Sequence, residues 1–256
     1  MAKVMPKRRL ENIGLTITGA CVALVALVVM QLVSEETGRQ QGLTTFFVDG
    51  FDPIAFLTGT HWIPEQDMYG ALPMIVGSFS VTLLSTIIAL PIALGSAMFV
   101  VEIAPGFGRR VFQPLVELLV GIPSVVYGVL GLYVVNSAMR MIFGASAGTG
   151  AGILSGAIVL AVMILPTVTT LSIDALAAVP NEYREGSYAL GCTRWQTIWH
   201  VVLKSAMPSL MTAVILGMTR AFGETLAVQM VIGGVERNMP TGLLSPASTL
   251  TATLTS

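Results

Sequence analysis

Residues 75–101 read IVGSFSVTLLSTIIALPIALGSAMFVV, a run with no charged side chain. Coiled as an α-helix at 1.5 Å per residue it reaches about 40 Å, more than the roughly 30 Å of a bilayer's hydrocarbon core. Lipid offers no partners to backbone N–H and C=O groups, so a helix is the required conformation, and the period-two alternation of a transmembrane barrel is absent. Working outward from this run, four further stretches are long and apolar enough to cross: 13–33, 111–135, 152–176 and 209–233. With 54% hydrophobic and 11% charged residues in the chain of 256, a water-soluble domain is excluded. The expectation is an all-α, polytopic integral membrane protein forming one membrane domain over 1–256.

Charge placement orients the spans. Lys3, Lys7, Arg8, Arg9, Arg109, Arg110, Arg184, Arg194 and Lys204 fall on one side if each span reverses the chain, and only Arg39, Arg140 and Arg237 fall on the other. The positive-inside rule then puts the amino terminus in the cytoplasm and, after five spans, the carboxyl end outside. The basic start ahead of 13–33 resembles a signal peptide, but the run is long enough to span and no small-residue cleavage motif follows, so it reads as an anchor. The segment 34–70 is external and, with Phe46, Phe47, Phe51, Phe56 and Trp62 among its acids, lies along the interface. The tail 234–256, rich in Ser, Thr, Pro and Gly, reads as a loop or as the beginning of a further element. Cys21, in a span, and Cys192, in an inner loop, form no disulfide.

Pro91, Pro123 and Pro166 lie inside spans, where each removes a helical hydrogen bond; broken helices line transport paths, and simple kinks are equally consistent. Gly152 with Gly156, and Ser124 with Gly128, have the spacing that lets helices approach closely.

The inner loop 177–207 carries the clearest polar pattern. Pro180 and Asn181 open a helix that Gly191 ends. Thr193 and Gln196 have capping-box spacing, and Trp195, Ile198, Trp199 and Val202 follow as an apolar stripe. Such a stripe suits either the membrane surface or a groove in a partner. His200 and Cys192 read as bystanders.

Arg220 and Glu224 stand inside the last span, about 17 and 22 Å from its inner start. At i, i+4 they would share a helix face. A central arginine costs roughly 2.5 to 3.5 kcal/mol on insertion scales, so its presence points to a function or to an ion pair that locks the packing. A guanidinium fork suits a tetrahedral oxyanion, Glu224 is able to neutralise it or accept from a protonated anion, and Thr225 adds a hydroxyl. Glu117, near the inner start of 111–135, is a further pathway candidate; Asp174 reads as structural. No nucleotide-binding G-x-x-x-x-G-K-[ST] and no metal-ligand set is present, so no metal or cofactor is expected on this chain and any ATP is used by a partner.

Glu185-Gly186-Ser187, with Gly191, Val201 and Leu203 at the spacing that follows, resembles the EAA loop of bacterial ABC-importer permeases, with Gly186 and Ser187 for two alanines and Lys204 for a proline. Arg220-Ala221-Phe222-Gly223-Glu224-Thr225-Leu226-Ala227-Val228 resembles the R-A-x-G-E-T-x-A-V segment of phosphate ABC permeases. Tyr69-Gly70-Ala71-Leu72-Pro73, Glu102-Ile103-Ala104-Pro105, Glu117-Leu118-Leu119 and Ile122-Pro123-Ser124-Val125-Val126-Tyr127-Gly128 are similar to the PstC-type member. The resemblance covers most of the chain after about residue 60.

It implies the importer-permease fold with six spans, of which five are visible and a sixth is expected but absent. It also implies a place in the bacterial or archaeal inner membrane beside a PstA-type second permease, a pair of ATPases and an extracytoplasmic phosphate-binding protein. The ATPase would dock on Glu185, Gly186, Ser187, Gly191, Trp195, Ile198, Trp199, Val201 and Leu203, and the anion would pass Arg220, Glu224, Thr225 and Glu117. Import of sulfate, molybdate or tungstate, an intramembrane enzyme acting on lipid phosphate, and a scaffold without transport remain as other readings.

Overall fold

The computed structural model describes residues 53–63, 68–104, 106, 108–235 and 239–253. Residues 55–256 form one compact unit and residues 1–54 another; all but two of the described residues belong to the former. The predicted span 13–33, Cys21 and most of the predicted interfacial segment lie outside the described residues.

A short helix α1 (Pro53–Thr58) leads into a two-stranded antiparallel ladder, β1 (Trp62–Ile63) and β2 (Met68–Tyr69), with Trp62 opposite Tyr69. The Ala71 N–H donates to the Phe56 carbonyl at 2.8 Å, which ties this entry to the bundle. The first long helix, α2 (Leu72–Met98), runs on through a π-helical turn at Phe99–Ile103. After a second π-turn at Gly108–Phe112 come α3 (Gln113–Val120), α4 (Ser124–Leu130) and α5 (Asn136–Phe143), the last two joined by a π-turn at Gly131–Val135. Then follow α6 (Ile153–Ala177), α7 (Asn181–Ala189), α8 (Arg194–Thr197), α9 (Leu203–Gly223), α10 (Leu226–Ile232) and α11 (Leu250–Thr253).

Among the described residues, four helical rods are long and apolar enough to cross a membrane: Leu72–Ile103, Ser124–Ala147, Ile153–Ala177 and Arg194–Gly223. Two of them match the predicted 75–101 and 152–176 closely. The other two differ from expectation in instructive ways. The span predicted at 111–135 is interrupted at Gly121–Pro123: Pro123 takes an extended conformation with ψ of 140° and caps α4, because it has no N–H to give and disfavours helix at the residue before it. The crossing rod therefore begins at Ser124. The span predicted at 209–233 begins earlier and ends earlier. Its helix grows without a break out of the inner loop, through a π-turn at Ile198–Val202, and stops at Gly223. Pro91 and Pro166, by contrast, lie inside continuous helices.

Helix α6 is the centre of the bundle. In its most apolar window 67% of residues are buried, against 28% for α2, and it packs against α2, α9 and α10. Val81 and Ala89 of α2, Ala157, Leu160, Ala161 and Ile164 of α6, Ala221 of α9, and Val228 and Ile232 of α10 form one core cluster. A second cluster toward the inner loop joins Ala97, Val100, Ile173, Leu176, Val179, Val202, Ala206 and Leu210. Among lipid chains the driving force is close packing, which the small residues at these contacts allow. Gly128 is one such point: a Cβ there would lie 3.0 Å from the Ala227 Cα of α10.

The tail, read from sequence as a loop, folds back instead. The Leu154 and Ile153 N–H groups, orphans at the start of α6, donate to the carbonyls of Leu243 and Ser245 at 2.8 and 3.3 Å. Ala247, Ser248, Thr249 and Ala252 are buried, and Gly77 gives way to the Ser248 carbonyl, into which a Cβ would run.

Candidate functional site

Arg220 stands in the last turn of α9, about 26 Å along that helix from Leu203. Its side chain is exposed on the isolated chain, and its Nη1 donates to the Thr167 hydroxyl of α6 at 2.8 Å. A cation from α9 and a hydroxyl from α6 thus meet within one turn of the point where α9 stops. The Tyr127 hydroxyl donates to the Leu119 carbonyl at 2.9 Å, spanning the break at Pro123. Thr167 and Tyr127 were not singled out from sequence.

The geometry of the charged pair differs from the i, i+4 expectation. Helix α9 ends at Gly223, and Glu224 is extended, with φ −79° and ψ 122°. The two side chains therefore do not share a helix face, and among the described residues Arg220 makes no ion pair with Glu224. The Glu224 carbonyl accepts from the Thr251 hydroxyl at 3.3 Å, and Glu224 helps to line a small crevice with Ser78, Thr82, Thr249 and Thr251. Thr225, half-buried, is the residue from which α10 starts. Irregular backbone at membrane depth is tolerated only inside protein or along a water-filled path, and α10 that follows is buried through Ala227, Val228, Val231 and Ile232. Glu117 lies in α3, on the far side of the Pro123 break from Tyr127. Asp174 is exposed near the end of α6.

The inner loop is built by local signals that each close a backbone account. Pro180 precedes α7, and Gly191, at φ +81°, ends it. The Gly191 N–H donates to Tyr188 O at 2.9 Å and the Cys192 N–H to Ser187 O at 3.2 Å, the paired bonds of a Schellman motif. Thr193 and Gln196 form a capping box: Thr193 N–H donates to Gln196 Oε1 at 2.8 Å, and Gln196 N–H to Thr193 Oγ1 at 3.4 Å. The predicted stripe divides between two faces. Ile198 and Val202 are buried, whereas Trp195 and Trp199 are 60% and 50% exposed. Glu185, Gly186 and Gly191 are exposed, and Val201 and Leu203 are half-buried. Ser187 is buried, its Oγ 2.9 Å from the Thr197 Oγ1 across the turn. Exposed Tyr183, Tyr188, Leu190, Trp195 and Trp199 therefore make an aromatic and apolar surface on a firmly braced helix pair.

What holds that pair to the bundle is a cluster that sequence spacing did not suggest. Arg184 Nη2 and Nε lie 2.7 and 3.1 Å from Glu102 Oε1, with side chains only 15% and 8% exposed. Arg184 also donates to the carbonyls of Val179 at 2.6 Å and Leu176 at 3.1 Å, and Arg194 donates to the Glu102 carbonyl. Glu102 sits in the π-turn that ends α2.

Comparison with known proteins assigns this architecture. Residues 89–254 match the model of the family described as binding-protein-dependent transport system inner membrane component. The chain is 51% identical over 251 residues to the probable ABC transporter permease protein YqgH of Bacillus subtilis (strain 168), covering 97% of this chain and 80% of that protein. It is 35% identical over 256 residues to the phosphate transport system permease protein PstC of Mesorhizobium japonicum, covering 93% and 76%. Its fold is similar to that of a solved structure of the MetNI methionine ABC transporter in an inward-facing conformation, with TM-score 0.54, 21% identity and coverage of 66% and 76%. The chain thus belongs to the family of binding-protein-dependent transport system inner membrane components, as an integral membrane permease subunit of the ABC-importer kind that works with a partner permease and a separate ATPase and is not itself an enzyme.

Proposed function

We propose that this permease carries inorganic phosphate into the cell, past Arg220. The observation that carries the reading is a guanidinium near the end of a membrane helix whose hydrogen-bond partner is one hydroxyl, Thr167, and which among the described residues pairs with no carboxylate. A lone cation in a low-dielectric surround attracts an anion strongly, and its planar fork of donors matches a tetrahedral oxyanion. Thr167 is placed to hold the fork when no anion is present and to become a further donor when one arrives. In this reading Glu224 and Thr225, on the unwound stretch after α9, meet the anion at a later point of its path than Arg220, where the carboxylate accepts from its protonated edge, and Glu117 is a further candidate for that path. Relatives named as phosphate permeases, and the R-A-x-G-E-T-x-A-V segment, support phosphate among the tetrahedral oxyanions.

In this reading the whole chain acts as one membrane domain. The inner loop faces the cytoplasm, as does the amino terminus, and a pair of ATPases docks on Trp195, Trp199 and the exposed end of α7. A PstA-type partner completes the pore, and a phosphate-binding protein delivers the anion from outside. This chain binds no cofactor, and ATP is used by its partner.

The test is ATP-dependent uptake of labelled phosphate by the complete complex in proteoliposomes, with Arg220→Gln as the variant. Loss of a charge-assisted hydrogen bond, about 1.5 to 3 kcal/mol, predicts uptake lower by at least about tenfold with assembly intact. Equal uptake by both would make Arg220 structural. Stronger competition by sulfate, molybdate or tungstate than by unlabelled phosphate would reassign the substrate.

A further inference from the structure

We propose that Glu102 is the positioning residue that makes the inner loop and α2 move as one body, so that displacement of the loop by an attached ATPase is passed to α2 as well as to the two helices the loop joins. Covalently, the loop is continuous only with α6, through Ala178–Pro180, and with α9, through Ile198–Val202. Helix α2 is far away in sequence, and its polar connection to the loop is Glu102. One carboxylate oxygen takes two donors from Arg184 of α7, while the same residue's backbone carbonyl takes a donor from Arg194 of α8. Both helices of the loop are thereby fastened to one residue of α2.

The fastening is stiff for three reasons. The pair is nearly excluded from solvent, so a lone Arg184 or Glu102 would be an uncompensated buried charge. Arg184 spends further donors on the Leu176 and Val179 carbonyls at the end of α6, so its guanidinium cannot swing without leaving those acceptors unpaired. Apolar packing backs the polar cluster: Ala97 and Val100 of the α2 end lie in one cluster with Leu176, Val179 and Val202. Glu102 also sits in a π-turn, where the wider backbone circuit of an otherwise regular helix sets the side chain off its straight course. Coupling between sites needs an element biased by both ends; here it is the unit formed by α7, α8 and the terminus of α2.

The inference rests on the transport role of the complex and not on the identity of its substrate, so its test reads two signals. In the complete complex with Cys21→Ser and Cys192→Ser, spin labels on Leu190→Cys, just after α7, and Ile92→Cys of α2, both exposed positions, report the distance between loop and helix by pulsed electron spin resonance. The expected result is a distance unchanged by MgATP with vanadate in the otherwise native chain. In Glu102→Gln the distance shifts or broadens with nucleotide, ATP hydrolysis continues, and phosphate uptake per ATP is lost. The double variant Glu102→Gln/Arg184→Gln leaves neither charge buried alone and is expected to behave in the same way where the single variant fails to assemble. A native distance that changes with nucleotide, or a double variant with unchanged distance and unchanged uptake per ATP, overturns the proposal. Absence of phosphate uptake by the native complex would sink the substrate assignment alone, with the label distances still deciding the role of Glu102.

Discussion

Gly128 and Gly186 both stand in helices, and their surroundings differ completely. A Cβ on Gly128 would press on the Ala227 backbone and on Met230 Sδ, whereas one on Gly186 meets nothing within 4 Å. Gly128→Val is therefore expected to push α4 from α10 and lower stability by about 1 to 3 kcal/mol, while Gly186→Ala raises it by up to about 1 kcal/mol through helix propensity alone. Thermal melting of the detergent-solubilised complex distinguishes the two; equal effects would mean the close approach at Gly128 is absent. The small-xxx-small spacing pointed to Gly128, and the expense of a buried charge pointed to Arg220. Nothing in the spacing joins Glu102 to Arg184, because an ion pair across 82 positions is set by how helices pack and leaves no local pattern.

The elements were legible to different depths. Hydropathy found each crossing rod among the described residues, since a long apolar run has no other use, but it blurred the breaks. Gly121–Pro123 sits in a stretch that stays apolar on either side, and the hydropathy of 209–233 survives Arg220 and Glu224, so composition runs straight through both breaks. The capping box and Gly191 were readable because a cap is a local hydrogen-bond requirement. Ser187, where the resemblance leads one to expect alanine, now has a reason: its hydroxyl meets Thr197 inside the turn between α7 and α8. Ser187→Ala should cost about 1 kcal/mol and loosen that turn, which hydrogen exchange of the 187–197 amides would register as faster exchange confined to the loop. Unchanged exchange would show that the Schellman bonds and the capping box suffice.

At the scale of the molecule, hydropathy could not say which rod is central. Helices α2 and α6 are similarly apolar, and only packing makes α6 the axis, with the tail folded over its first turn. Orientation, read from basic residues, is open to direct test. Leu190, 86% exposed at the tip of the inner loop, replaced by Cys in a chain lacking Cys21 and Cys192, should react with a membrane-impermeant maleimide in inverted vesicles and not in intact cells; the opposite pattern would reverse the assigned topology.

The π-turn at Ile198–Val202 has a further meaning for such a rod. A π-turn is an α-helix carrying one surplus residue, and each residue advances the helix by about 100° around its axis. The azimuth of Arg220 is thus fixed not only by its own neighbours but by a dislocation some twenty positions upstream, next to the surface on which a partner would press. Were that dislocation to slip along the rod, every residue it passed would turn like a screw thread, and the cation would leave Thr167 without any bond in the chain being bent.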